Sequence, residues 1–169
     1  MPEFALEDIL THLQTVPRGV PALDEILSIL HDNLPQVLVH FGLPEIRTWD
    51  YAGVELPADA VPAILISSAI RTEEVGIYFA DTHNVMVTVA YTLSITRRQL
   101  QDALDIAQLV GAILRLPPVT GPRRRDGQVL WNWLLPAGFG LVPPNWPYYR
   151  GCIAQFELRQ SPPSNLWSD

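Results

Sequence analysis

The sequence predicts an α+β domain: a single mostly antiparallel β-sheet with amphipathic helices packed on one face, in the order α-β-β-α-β. Three observations predict it. Asn84 to Ile95 alternates, with Val85, Val87, Val89, Tyr91, Leu93 and Ile95 apolar and Thr88, Ala90, Thr92 and Ser94 small or polar between them. That period of two marks a half-buried strand. From Leu100 the period changes, and Leu100, Ala103, Leu104, Ala107, Val110 and Leu114 fall on one helix face. Just upstream, Val75, Ile77 and Phe79 alternate before Asp81-Thr-His-Asn84, the pattern of a hairpin with a short turn.

The elements follow in order. Pro2 to Gln14 is a short helical candidate, broken at Pro17-Arg-Gly19. A second helix is expected from Pro21 to Asn33, with Leu23, Ile26, Leu27 and Leu30 on one face and Asp24 and Glu25 near its positive end. Leu34-Pro35 marks a break, and Gln36 to Phe41 fits either a further helix or a strand. A short extended piece lies around Ile46 to Tyr51. Ala63 to Ile70 is a continuous apolar run, the mark of a strand buried on both faces. Glu74 to Ala80 and then the long strand make the hairpin. Thr96 and Gln99 fit a capping box before the next helix, and Pro117-Pro118 stop it. Val129 to Leu135 is a strand candidate with Trp131 and Trp133 on one face. Gly151 to Arg159 is the last strand, with Cys152, Ala154, Phe156 and Leu158 on one side. A crossover in the strand–helix–strand part would be right-handed. Residues 1–160 are expected to form one domain, with 119–149 an arginine- and aromatic-bearing loop insertion and 161–169 a proline-containing tail.

At 169 residues the chain is long enough for a real core. Only 17% of its residues are charged, against a usual figure of about 25%, so some apolar surface is expected to meet a partner or be buried. The net charge is −7, and every basic residue is an arginine. An acidic chain is a poor candidate for wrapping nucleic acid, which needs a basic face. The absence of lysine reads either as genome bias or as arginine placed for bidentate pairing at protein contacts. The single Cys152 excludes an internal disulfide and a multi-cysteine zinc site. Met1 to Leu10 holds Glu3, Glu7 and Asp8 and no basic side chain, which is not the pattern of a secretory signal. No run approaches the roughly 18 apolar residues of a membrane span. A soluble, intracellularly made protein is expected.

Chemistry is sparse. His12, His31, His40 and His83 lack metal-ligand spacing. Cys152 falls on the apolar face of a strand, the setting of an inert thiol. Ala137-Gly-Phe-Gly140 is neither a phosphate loop nor a dinucleotide turn. Glu73 and Glu74 are adjacent on a strand and so face opposite ways. No catalytic, cofactor-binding or metal-ligating residues are assigned. Two clusters stand out as candidate subunit or partner contacts. Arg123, Arg124 and Arg125 form the only basic run, fit either for solvent or for acids on a neighbouring subunit. Trp131, Trp133, Trp146, Tyr148 and Tyr149 crowd a proline-stiffened segment, where core packing and a binding hot spot are equally open.

In element order the chain resembles the tail terminator (tail-completion) and neck proteins of tailed bacteriophages. The likeness lies in the helix around Pro21–Asn33, the apolar strand Ala63–Ile70, the hairpin into Val85–Ile95, the capped helix Thr96–Arg115 and the closing strand Gly151–Arg159. The resemblance implies a virion structural protein of the tail and neck, made in the host cytoplasm, with no enzymatic activity and no cofactor. It implies a homo-oligomeric ring, commonly a hexamer, that contacts the tail tube, the sheath where one exists, and the neck or connector proteins. DNA would pass through its channel without specific binding, and no membrane is involved. Two other classes stand beside it. A small-molecule or anion-binding enzyme domain would use the helix start at Ser94-Ile-Thr-Arg-Arg98. A partner-binding adaptor or chaperone would use the aromatic segment.

Overall fold

The computed structural model describes residues 3–13, 18–53, 55–75 and 78–160. The expected break at Pro17, the hairpin position Ile77 and the tail 161–169 lie outside them. The chain is α+β, with a five-stranded sheet in the order β1-β2-β3-β7-β6 and helices packed on one face.

Helix α1 spans Leu6–Leu13. Helix α2 spans Gly19–His40 and runs straight through the break expected at Leu34-Pro35. A proline inside a helix costs about 3 kcal/mol through its lost hydrogen bond and its clash with the carbonyl one turn back. Here Pro35 lies on the exposed side, while Leu34 and Leu38 on the inner side are fully buried. Burying two leucines is worth about 1.5–3 kcal/mol each, enough to offset the proline. The helix ends in a Schellman motif: Gly42, at φ 66°, donates to Val39 O, and Leu43 N donates to Leu38 O at 2.9 Å.

Strand β1, Thr48–Tyr51, pairs parallel with β2, Ala63–Val75, after a single 3-10 turn at Ala58–Ala60. Strand β3, Tyr78–Tyr91, pairs antiparallel with β2, and Val75 faces Tyr78 across the hairpin. The turn expected at Asp81–Asn84 is therefore strand. Two of those polar residues find side-chain partners across the sheet: Thr72 Oγ1 donates to Asp81 Oδ1 at 2.7 Å, and His83 meets Gln160. Strand β3 ends at Tyr91, four residues before the expected Ile95.

Helix α3, Arg97–Leu114, begins with the predicted capping box: Gln99 N donates to Thr96 Oγ1 at 3.1 Å, and Thr96 N to Gln99 Oε1 at 3.0 Å. Pro117 starts a one-turn helix, α4, at Pro117–Thr120. The span 119–149, expected as a loop insertion carrying one strand at Val129–Leu135, holds three strands, and the expected one is split at Asn132. Strands β4, Arg123–Arg125, and β5, Gln128–Trp131, form a separate ribbon, and β6, Trp133–Leu141, is an edge of the main sheet. Strand β7, Arg150–Gln160, lies between β3 and β6, antiparallel to both. Strands β3 and β6 thus run parallel with α3 on the path between them, a split β-α-β arrangement.

The main core lies between the sheet and α2 and α3. Ile26, Leu30, Leu34 and Leu38 of α2 and Ile106 and Val110 of α3 join Val85, Val87 and Val89 of β3. Cys152, Ala154, Phe156 and Leu158 of β7 face the same core, as their alternation predicts. On the other sheet face a smaller cluster of Ala63, Leu65, Ala90, Val142 and Tyr149 covers one end. Gly151 permits the β3–β7 pairing there. Its φ is 145°, and a Cβ on it would sit 1.9 Å from Val89 O.

Candidate interaction surface

The arginine run lies on a two-stranded ribbon turned by Asp126 and Gly127, at φ 52° and 77°. Two positive φ values in a two-residue loop make a tight hairpin, and Asp-Gly is a favoured pair for it. Alternation then separates the three arginines. Arg123 and Arg125 reach one carboxylate, Glu25 of α2: Arg123 Nη2 donates to Oε1 at 2.9 Å and Arg125 Nη1 to Oε2 at 3.0 Å. Arg123 also donates to Pro118 O at 3.3 Å. Glu25 is only 8% exposed, and its carboxylate is paired by this clasp; because α2 starts at Gly19, Glu25 lies beyond the first turn in which it was expected. The sequence left open solvent or an acid on a neighbouring subunit for these arginines; the acid that Arg123 and Arg125 meet belongs to their own chain. Arg124 is exposed.

The aromatic group splits as well. Trp131 is fully buried, and its Nε1–H donates to Val119 O at 2.9 Å. It belongs to the core and offers no contact surface, because the ribbon folds it beneath α4. Trp133 is half-buried at the start of β6. Chain direction changes at Asn132, so the two tryptophans do not share one strand face as expected. Tyr149 is buried in the smaller cluster, and that burial pushes its phenol up, partly offset by a hydrogen bond with Trp146. Trp146 and Tyr148 are exposed, with ring centroids 5.4 Å apart. Arg150 holds this strap by donating to the carbonyls of Trp146 and of Tyr149. Between the strap and the sheet lies an apolar cavity of about 210 Å³, lined by Met86, Val142, Pro143, Trp146, Tyr149 and Ile153.

Sequence reasoning missed three further apolar surfaces. Leu6, Ile9, Leu10 and Leu13 of α1 are all exposed. At the far end of α2, Val39 is 80% and Phe41 60% exposed. Edge strand β6 exposes Leu135, Phe139 and Leu141. For α1 the stripe at 6, 9, 10 and 13 was the available signal. For β6 there was none, since its alternation is broken by a bulge between Pro136 and Gly138.

The reactive-group candidates are otherwise occupied. Burial pushes the Cys152 thiol up to about 11, which leaves it protonated and inert near neutral pH. At the start of α3 the Gln99 amide is taken by Thr96, and Arg98 pairs with Asp102 at 3.4 Å, so these groups already have partners where an anion would bind. Among the described residues no cluster of three His, Cys, Asp or Glu side chains could hold a metal ion, and no helix is long and apolar enough to cross a membrane. No protein-family model matches the chain, and no curated protein matches it.

Proposed function

We propose that this chain is a structural protein of a tailed-bacteriophage virion, a tail terminator. Copies of it would form a ring on the end of the tail tube and present the joining surface for the neck. The reading rests on the element order it shares with such proteins and on one observation in particular. Apolar side chains stand uncovered on α1 and, separately, at Val39 and Phe41 at the C-terminal end of α2. Large scattered exposures are ordinary, but a whole amphipathic helix with its apolar stripe in water is a contact waiting for a partner. Two different apolar surfaces on one chain suit a head-to-tail contact, which closes into a ring when the rotation permits.

The test is reconstitution. Purified protein added to growing tail tubes is expected to stop elongation and to appear as a ring at the tube end in negative-stain micrographs. Tubes that lengthen unchecked and carry no added density would overturn the reading.

A further inference from the structure

Between the second half of α3 and edge strand β6 lies an open cavity of about 350 Å³. Small-molecule sites occupy roughly 300–1,000 Å³, so the space is of that kind. Ala154 and Phe156 of β7 line it and are buried. Pro136 and Phe139 line it from β6, and Phe139 is still 46% exposed. Gln108, Gly111 and Arg115 line it from α3 and its C-cap. Gly111 lies inside the helix, where only proline is a poorer residue. A Cβ on it would meet nothing within 4 Å, so no packed neighbour demands the glycine. Its missing side chain keeps that wall of the cavity open.

The chain has a net charge of −7, yet the one ionisable side chain lining this cavity is Arg115. Arg71, Arg98, Arg123, Arg125 and Arg159 all pair with acids. Arg115 pairs with no acid among the described residues. We propose that the cavity binds a small planar carboxylate, with its acid group on Arg115 and its flat apolar body against Phe139 and Phe156. The site lies within one chain and does not rest on self-assembly.

Charge complementarity sets the head group, because a planar guanidinium takes a carboxylate through two parallel hydrogen bonds. The two phenylalanines set the body, because phenyl rings favour a further ring in stacked or edge geometry. The helix sets the length. Gln108 and Arg115 are seven residues apart, about 10.5 Å along the axis. A two-ring body with a hydroxyl opposite its carboxylate spans that distance and meets both side chains. The C-terminal end of α3 opposes an anion with a partial charge of about one half, which the full charge of the guanidinium outweighs. The carbonyls of Gly111 and Ile113 there already accept from the N–H groups of Arg115 and Leu116.

The experiment is isothermal titration calorimetry of the full chain with 6-hydroxy-2-naphthoate. Saturable binding at one site per chain is expected. Arg115→Gln is expected to weaken it at least about tenfold, the loss of one charge-assisted pair. The neutral 6-hydroxy-2-naphthamide is expected to bind the parent at least about tenfold more weakly than the acid, and to bind Arg115→Gln as it binds the parent. Gly111→Leu fills the cavity and is expected to abolish binding. That variant is expected to keep the circular dichroism of the parent, because leucine favours helix and its Cβ meets no neighbour. Decanoate, which carries the same charge on a chain that is not flat, is expected to bind more weakly than the naphthoate. No saturable heat at millimolar naphthoate, equal affinity for acid and amide, or undiminished binding by Gly111→Leu would overturn the site. Decanoate bound as tightly as the naphthoate would overturn the planar ligand class.

Discussion

Nε2 of His83 lies 2.8 Å from Oε1 of Gln160, and the other half of that amide decides which proton His83 carries. Gln160 Nε2 donates to Arg18 O at 3.0 Å and to Leu130 O at 2.8 Å, using both its hydrogens. Oε1 is thus the acceptor, and His83 donates from Nε2, while Nδ1 has no hydrogen-bond partner. Two strands, the entry to α2 and the arginine ribbon are tied at this one buried amide.

Removing that amide leaves a buried donor and two carbonyls without partners. Gln160→Ala is expected to cost about 2–4 kcal/mol in urea denaturation, since each orphaned buried group costs about 1–3 kcal/mol. Gly19 belongs to the same contact, because a Cβ there would lie 2.9 Å from His83 Cε1. Gly19→Ala is expected to destabilise by about 1–3 kcal/mol through overpacking, although alanine is ordinarily the better helix former.

The clasp on Glu25 is expected to be lopsided. Glu25→Ala leaves two arginines without their shared carboxylate, and is expected to cost about 2–3 kcal/mol after allowing for their partial exposure. Arg125 has a side chain 62% exposed, so Arg125→Ala is expected to cost under about 1 kcal/mol. Equal losses from the two substitutions would contradict the geometry. Arg124→Ala, on the opposite side of the ribbon, is expected to leave stability unchanged.

Alkaline pH tests the interior. Burial, then the nearby Asp102 charge, raises the Tyr91 phenol from 10.0 to about 12. Its folded value lies above its unfolded one, so its contribution is fully present below about pH 10 and is lost as pH rises toward about 12. The fall is on the order of 2–3 kcal/mol. Tyr91 OH is buried with no hydrogen-bond partner. Tyr91→Phe is therefore expected to be neutral or stabilising at pH 7 and to shrink the loss between pH 10 and 12, followed by denaturation at each pH. Tyr51, also raised to about 12 by burial and by Asp24, accounts for part of the remaining slope.

Gly151 offers a sharper prediction. A Cβ at 1.9 Å from Val89 O cannot be absorbed by rotating a side chain, because the clash is with backbone. Gly151→Ala is expected to lose several kcal/mol or to prevent folding, by separating β7 from β3 at the smaller core. Gly138→Ala, where the nearest atom is a flexible Gln155 Oε1 at 3.7 Å, is expected to cost under about 1 kcal/mol. Thermal unfolding of the pair distinguishes a specific backbone contact from a general intolerance of sheet glycines.

What was legible in the residues was periodic and local. The alternation of β3 and β7, the helix face of α3 and the Thr96–Gln99 box all appear where local pattern and global packing agree. The failures have one cause: a local signal outvoted by a distant contact. Pro35 reads as a stop until Leu34 and Leu38 are known to be buried. Asp81–Asn84 reads as a turn until His83 meets Gln160, which lies 77 residues further on. The arginine run reads as a free basic loop until Glu25, 100 residues before Arg125, is brought against it. Asp126-Gly127 was the clue to a hairpin there, and alternation would then have set Arg124 apart from its neighbours. The burial of Trp131 had no local signal at all.

Self-association through two unlike apolar surfaces is the claim on which the functional reading stands. Native mass spectrometry of the full chain at micromolar concentration measures it directly. A single closed species of one fixed copy number, in exchange with monomer, is the expected spectrum. A monomer at every concentration, or an open ladder of all sizes with no preferred closure, would contradict it.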